Sequence, residues 1–158
     1  AYAVIARNGM SVKPYAILKV ADQEGQVLYN HKMIAPQRLV AAPVAQKLTQ
    51  MMQAVMTYGS GKKAALGRPS AGKTGTTQLY RDAWLIGFTP ELVTGVWAGN
   101  DDNTSLDPKP GSPAVMLWHL VMSQAPYSSV TFPQEASHDE ELPAEGLLDN
   151  LIDSLFGG

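Results

Sequence analysis

Lys73-Thr74-Gly75-Thr76-Thr77 opens an apolar, strand-like segment that runs to about Phe88. A lysine, hydroxyls and a glycine on one edge strand can bind the terminal carboxylate of a peptide and still let a second backbone approach closely. The stretch therefore reads as a substrate-binding strand. Thr74 and Thr76 are two apart, so their hydroxyls share one face and can bind one carboxylate together. Gly75 faces the opposite way, where a missing side chain admits close packing of the strand on a helix behind it, or marks a bulge. Thr77 would continue the edge, although a β-branched residue is also ordinary strand filler. Lys73 has a plainer reading too, as an edge lysine that discourages strand-to-strand aggregation.

Working outward, Ala71–Thr77, Ala83–Phe88 and Leu92–Asn100 read as consecutive antiparallel strands. Upstream, Pro43 is a favourable first helical position, and Val44, Leu48, Met51, Met52 and Val55 follow at helical spacing until Gly59 supplies a stop. This methionine-rich stripe reads as core packing. Val12–Val20 and Val27–Asn30 flank the turn Asp22-Gln23-Glu24-Gly25 and predict a small peripheral hairpin. Ala1–Asn8 is an apolar helical stub closed by Gly9. It opens without a capping residue, which predicts that the chain begins inside a larger domain. Downstream, Val115, Leu117, Trp118, Val121 and Met122 return to helical spacing.

With 158 residues, 45% of them hydrophobic and 16% charged, the chain is long enough to bury a core and too short for two full domains. It has no cysteine, which excludes disulfides and thiolate metal sites. His31, His119 and His138 have no partners at metal-binding spacing. The net charge of −2 is unevenly spread: residues 1–125 hold all twelve basic residues and only seven of the fourteen acidic ones. The body is thus modestly basic, which suits an anionic ligand, while its scattered cations without interleaved aromatics argue against nucleic acid. From Pro126 the composition turns to Ser, Pro and acid, predicting a largely disordered tail over 126–158. Within it, Leu147, Leu148, Leu151, Ile152, Leu155 and Phe156 form a short amphipathic stripe over 147–156. Such a stripe frays, docks on its own domain or serves a partner.

Gly67-Arg68-Pro69-Ser70-Ala71-Gly72-Lys73-Thr74 also satisfies the phosphate-loop pattern Gly-x-x-x-x-Gly-Lys-Ser/Thr. That mechanism needs a strand before the first glycine and a helix starting at the Lys-Thr, so that backbone amides surround the phosphates. Here the order is inverted: Lys62–Leu66 is helix-prone and Gly75-Thr76-Thr77 is not. A nucleotide binder remains a minor alternative, and a catalytically silent interaction domain is another.

The same letters fit a known family more widely. Lys73-Thr74-Gly75-Thr76-Thr77, Arg81-Asp82-Ala83-Trp84 and Gly87-Phe88-Thr89-Pro90 resemble the third signature of penicillin-recognising enzymes, in the form found in class A penicillin-binding proteins. Ala1-Tyr2-Ala3-Val4, Asn8-Gly9, Pro14, Met51–Val55, Gly59-Ser60-Gly61-Lys62 and Val96–Asp101 resemble other stretches of the same transpeptidase domain.

The resemblance spans residues 1–125 and implies an α/β fold: a fragment of the β-lactamase/transpeptidase-like sandwich, with an antiparallel sheet and flanking helices. It implies part of a D,D-transpeptidase that cross-links peptidoglycan stem peptides ending in D-Ala-D-Ala and is acylated by β-lactam antibiotics. No cofactor is implied. The family's further properties are a preceding glycosyltransferase domain and an anchor in the bacterial inner membrane, with the enzyme facing the periplasm. Carried over by position, Lys73 and Thr76 take catalytic roles and Lys73, Thr74, Gly75, Thr76 and Thr77 bind substrate. The Thr76 backbone N–H forms half of an oxyanion hole. The family's Ser-x-x-Lys and Ser-x-Asn signatures are expected in an upstream part of the same domain. Ser60-Gly61-Lys62-Lys63 spells the first of them, but in a glycine loop instead of at a helix N-terminus, and is read as coincidence. Lys109–Pro113 departs from the glycine pair or triplet common in the family. A cell-wall synthesis partner for the tail also fits the resemblance. Asp82 reads as an ion-pair partner of Arg81 or Lys73, or as a cap on the strand turn.

Overall fold

The computed structural model describes residues 1–106 and 112–134. The stripe at 147–156 and most of the Lys109–Pro113 loop lie outside the described residues. In chain order the elements are α1 (Tyr2–Ala6), β1 (Lys19–Ala21), β2 (Val27–Asn30), α2 (Ala42–Thr57), β3 (Ala71–Thr76), β4 (Asp82–Phe88), β5 (Val93–Gly99) and α3 (Pro113–Ser123). The sheet that matters is antiparallel, in the order β3-β4-β5. β1 and β2 form a separate hairpin whose residues are all exposed, as a peripheral ribbon should be, but its first strand covers only Lys19–Ala21 instead of the Val12–Val20 expected.

Alternation along β4 sorts the core onto the two faces of the sheet. Ala83 and Leu85, with Val96 of β5, point to the face covered by α3, where they join Val115, Trp118 and Met122. Trp118 is fully buried and its indole N–H donates to the carbonyl of Thr94 at 3.1 Å, so this aromatic is both packed and satisfied. Phe88 and Ala71 point to the other face, where Tyr2 and Ile5 of α1 cover one end together with Met52.

Helix α2 forms where its spacing predicts, with Pro43 in the first turn, and buries Met52 as expected, but the rest of its buried stripe is rotated from the expected one. Its buried residues are Ala45, Thr49, Met52 and Met56, whereas Val44, Leu48 and Met51 are exposed. The reason is steric. Small Ala45 and Thr49 let the helix close on its neighbours, and the Thr49 hydroxyl is satisfied by the Ala45 carbonyl one turn back at 2.9 Å. In α3, similarly, Val115, Trp118 and Met122 are buried but Leu117 and Val121 are exposed.

Residues 126–134, which composition assigns to the tail, lie against the body. Phe132 is buried edge-on to Phe88, with ring centroids 5.6 Å apart. Arg68 caps the end of α3: its guanidinium donates to the carbonyls of Met122 at 2.6 Å and Pro126 at 3.3 Å, and lies 4.9 Å from the Tyr127 ring centre. A cation at a helix C-terminus is favourably placed against the helix dipole. Glu91 holds the same segment, accepting from the Ser128 hydroxyl at 2.5 Å and the Ser128 N–H at 3.1 Å.

The Ser128 hydroxyl, followed by Thr89, pulls the Glu91 carboxyl down from 4.5 to about 2. A depressed folded value means that the contact contributes fully above the unfolded value and is lost as pH falls through about 2. The Ser128 amide proton shift is accordingly expected to titrate with a midpoint near 2, and Glu91→Gln to remove that titration.

Candidate functional site

The candidate site residues lie on β3, which is at the edge of its sheet among the described residues. Register with β4 is unbroken from Ala71↔Phe88 to Thr76↔Ala83, so the strand has no bulge at Gly75. A side chain at Gly75 would meet Trp84 Cβ at 3.3 Å. The close neighbour is therefore the cross-strand tryptophan and not a helix, which corrects the packing expected of this glycine. The helix is approached at Gly72 instead, where a side chain would lie 2.8 Å from the Met56 sulfur.

Thr77 donates its N–H to the carbonyl of Asp82 at 3.1 Å, which fixes the phase of the ladder. Backbone groups alternate sides along a strand, so the N–H groups of Thr74 and Thr76 face away from β4, toward the open edge. Thr74 and Thr76 share one face, as their spacing requires, and Lys73 lies on the other. The exposed Lys73 ammonium nevertheless turns back to the edge, donating to the Thr74 carbonyl at 2.7 Å. One strand edge thus carries a cation, two outward amides and the Thr74 and Thr76 side chains. Such a set matches an extended, anionic peptide end.

The far end of the strand is locked. Thr77 donates its hydroxyl to Asp82 Oδ2 at 2.9 Å and accepts from the Asp82 N–H at 2.8 Å, while Trp97 of β5 donates its indole N–H to Asp82 Oδ1 at 2.9 Å. Asp82 therefore caps the strand turn, and Lys73 is engaged elsewhere. Hydrogen bonds from Trp97 and then Thr77, with Arg81 nearby, hold the Asp82 carboxyl below its ordinary value. Thr77 faces this turn and not the open edge, a role that its place in the motif did not reveal. Trp84 and Trp97 pack beside each other with centroids 6.4 Å apart and are both partly exposed. Asp82→Ala is expected to speed exchange of the Thr77 amide by about tenfold, the scale of one lost charged hydrogen bond. Hydrogen exchange read by NMR checks this, with Asp82→Asn retaining part of the protection.

Between Thr77 and Asp82 the chain passes through two left-handed residues, Leu79 (φ 61°) and Tyr80 (φ 53°). The neighbouring loop holds them: the Ser105 hydroxyl donates to the Leu79 carbonyl at 2.6 Å and the Leu106 N–H to the Tyr80 carbonyl at 2.8 Å. Backbone cost at these two positions is sustained by contacts from outside the turn.

The phosphate-loop spelling has no matching structure. Gly72, Lys73 and Thr74 lie inside a paired strand, so no helix N-terminus follows the lysine, and Arg68 caps α3. Among the described residues no group of three or more His, Cys, Asp or Glu is arranged to hold a metal ion.

The family model of the penicillin-binding protein transpeptidase domain matches residues 1–105, a range that contains all of β3, β4 and β5. The chain belongs to this family. Penicillin-binding protein 1A of Aquifex aeolicus is 35% identical over 152 residues, covering 96% of this chain and 20% of the relative. Penicillin-binding protein 1A of Mycolicibacterium smegmatis is 41% identical over 120 residues, covering 72% of this chain and 15% of the relative. The chain thus spans a fifth or less of the length of these two penicillin-binding proteins.

Among solved structures, the penicillin-binding protein PonA1 from Mycobacterium tuberculosis superposes with a TM-score of 0.72 at 30% identity, over 84% of this chain and 38% of that one. Penicillin-binding protein A from M. tuberculosis, solved as an imipenem acyl-enzyme complex, shares the fold with a TM-score of 0.58 at 24% identity, over 77% of this chain and 29% of that one. The mixed α/β fold of this chain, an antiparallel sheet with flanking helices, is therefore a fragment of the penicillin-binding transpeptidase fold.

Proposed function

We propose that this chain supplies the substrate-binding edge of a peptidoglycan D,D-transpeptidase whose serine nucleophile lies in another part of the same domain. The open edge of β3 carries the reading. It sets the Lys73 ammonium and the outward amides of Thr74 and Thr76 on one line, with the Thr74 and Thr76 hydroxyls beside them. A stem peptide ending in D-Ala-D-Ala would lie along this edge as an added strand. Its terminal carboxylate would be taken by Lys73 with the Thr74 and Thr76 hydroxyls.

The reaction is acyl transfer. The serine oxygen attacks the penultimate carbonyl and forms an ester, and the amide bond to the last D-alanine breaks as its nitrogen takes up a proton. An amine of a neighbouring stem peptide then attacks the ester and frees the serine. In both steps the carbonyl oxygen gains negative charge, and the outward N–H of Thr76 donates to it as half of an oxyanion hole. Lys73 favours the bound carboxylate and the ionised form of neighbouring bases. A β-lactam carries the same carboxylate and a reactive carbonyl, so it would occupy the same edge and remain as an acyl-enzyme.

The family resemblance supports the wider setting. The intact protein would carry a glycosyltransferase domain and work on the periplasmic face of the inner membrane, held by an anchoring segment. No described helix is long and apolar enough to cross a membrane. The tail beyond the described residues would serve a partner in cell-wall synthesis. The test is cross-linking by the full-length protein, fed a lipid-linked glycan precursor with pentapeptide stems. Release of free D-alanine with formation of cross-linked stem dimers, both suppressed by penicillin, is the expected result; glycan polymerisation without dimers would overturn the assignment.

A further inference from the structure

The loop Gly59-Ser60-Gly61 sits between α2 and β3 and aims its one side chain at the strand. Ser60 Oγ lies 2.6 Å from Thr74 Oγ1, across a sequence separation of fourteen residues. The loop is fitted tightly around this contact. A side chain at Gly59 would meet the backbone of Val55 at 2.8 Å, and one at Gly61 would meet the Met56 sulfur at 2.8 Å and the Val55 carbonyl oxygen at 3.2 Å. The N–H groups of Gly59 and Gly61 donate to the carbonyls of Ala54 and Val55, at 3.1 and 3.0 Å, tying both glycines to the end of α2. Two residues without side chains, each pressed on the helix, thus bracket a serine whose hydroxyl reaches the site strand.

We propose that Ser60 is a positioning residue that donates its hydroxyl proton to Thr74 Oγ1 and thereby commits the Thr74 proton to the ligand's carboxylate. The inference rests on the reading of β3 given above, and it follows from proton counting. Each hydroxyl has one proton and can also accept, so either direction is open for the isolated pair. A carboxylate only accepts. Once it arrives, Thr74 must donate outward, and the contact with Ser60 survives only if Ser60 donates to Thr74. The chain Ser60 to Thr74 to carboxylate then runs in one direction, and each bond polarises the next. Without Ser60 the Thr74 hydroxyl keeps its proton but loses the partner that fixes its rotamer.

The test measures second-order acylation rates of the full-length protein with a penicillin and with the methyl ester of the same penicillin, which lacks the anionic carboxylate. Thr74→Ala is expected to slow the free acid by about tenfold, the scale of one hydrogen bond to a charged group, and Ser60→Ala, which removes only the neutral bond behind it, by about threefold, both leaving the ester little changed. Ser60→Thr is expected to restore the rate, and the double variant to be no slower than Thr74→Ala alone. A normal rate in Ser60→Ala while Thr74→Ala is slow would overturn the role of Ser60 alone. An equal loss with acid and ester would assign Ser60 a merely structural role and likewise overturn it. Unchanged rates in Thr74→Ala would overturn the carboxylate reading of Thr74, and the Ser60 proposal with it.

Discussion

Replacing Lys73 by alanine in the full-length protein is expected to slow acylation by penicillin about 100-fold, with the fold retained. Lys73 is exposed, and its ammonium contacts a carbonyl of its own strand, so no core packing or buried ion pair is lost with it. On the proposed reading of β3, what disappears is the cation opposite the ligand's carboxylate. Truncating one partner of a hydrogen-bonded charge pair at a binding site costs about 2–5 kcal/mol, and about 2.7 kcal/mol corresponds to 100-fold in rate. Lys73→Arg should recover only part of the loss, because a planar fork does not replace a compact ammonium at an edge shaped around it. Stopped-flow acylation kinetics, alongside thermal unfolding of the same variants, check both points. A loss of Tm proportionate to the loss of rate would mean that Lys73 acts on stability instead.

Thr76→Pro is expected to have the largest effect of a single backbone change, slowing acylation by about 100- to 1,000-fold, the usual consequence of losing one oxyanion donor. The phase of the ladder makes this separable from unfolding. The Thr76 N–H faces the open edge, and proline is tolerated on edge strands where the missing N–H makes no ladder bond. The neighbouring position supplies the control. The Thr77 N–H donates to Asp82, so Thr77→Pro removes a bond that the turn uses and should lower Tm. Thr76→Val, which keeps the N–H and loses the hydroxyl, should fall between wild type and Thr76→Pro in rate. Circular dichroism and Tm confirm the fold, and acylation kinetics read the loss.

The contrast between Thr76 and Thr77 shows where sequence reading stops. The motif reads both as parts of one edge, and alternation alone says only that they face opposite ways. It takes the hydrogen bonds to Asp82, from Thr77 five residues away and from Trp97 fifteen residues away, to show that Thr77 belongs to the turn. Strands β4 and β5 were legible as apolar runs bounded by Asp82, Pro90 and Asn100, β3 through its Lys73–Thr77 motif, and the β1–β2 hairpin because Asp22–Gly25 spells its turn. Helix α2 was legible in extent but not in orientation. Hydrophobicity favours Val44, Leu48 and Met51, while close packing favours the small Ala45 and Thr49.

Residues 126–134 were misleading for a related reason. Their composition is that of a linker, yet Phe132 finds Phe88 and the Ser128 hydroxyl finds Glu91, two contacts that no local pattern announces. Arg68, one letter of the phosphate-loop spelling, caps a helix more than forty residues downstream. The contact between Ser60 and Thr74 is hidden likewise, since neither the Ser-x-x-Lys spelling nor the family-like Gly59-Ser60-Gly61-Lys62 points to a partner on β3. In each case the sequence marks the residue as polar or apolar, and tertiary packing selects its partner.

Acylating the full-length protein with a fluorescent β-lactam and mapping the modified residue by peptide mass spectrometry locates the nucleophile directly. One adduct is expected, on a serine outside residues 1–158, with yield at short times cut sharply by Lys73→Ala. An adduct on Ser60 or any other residue of this chain, or unchanged labelling of the Lys73→Ala protein, would contradict the proposed function.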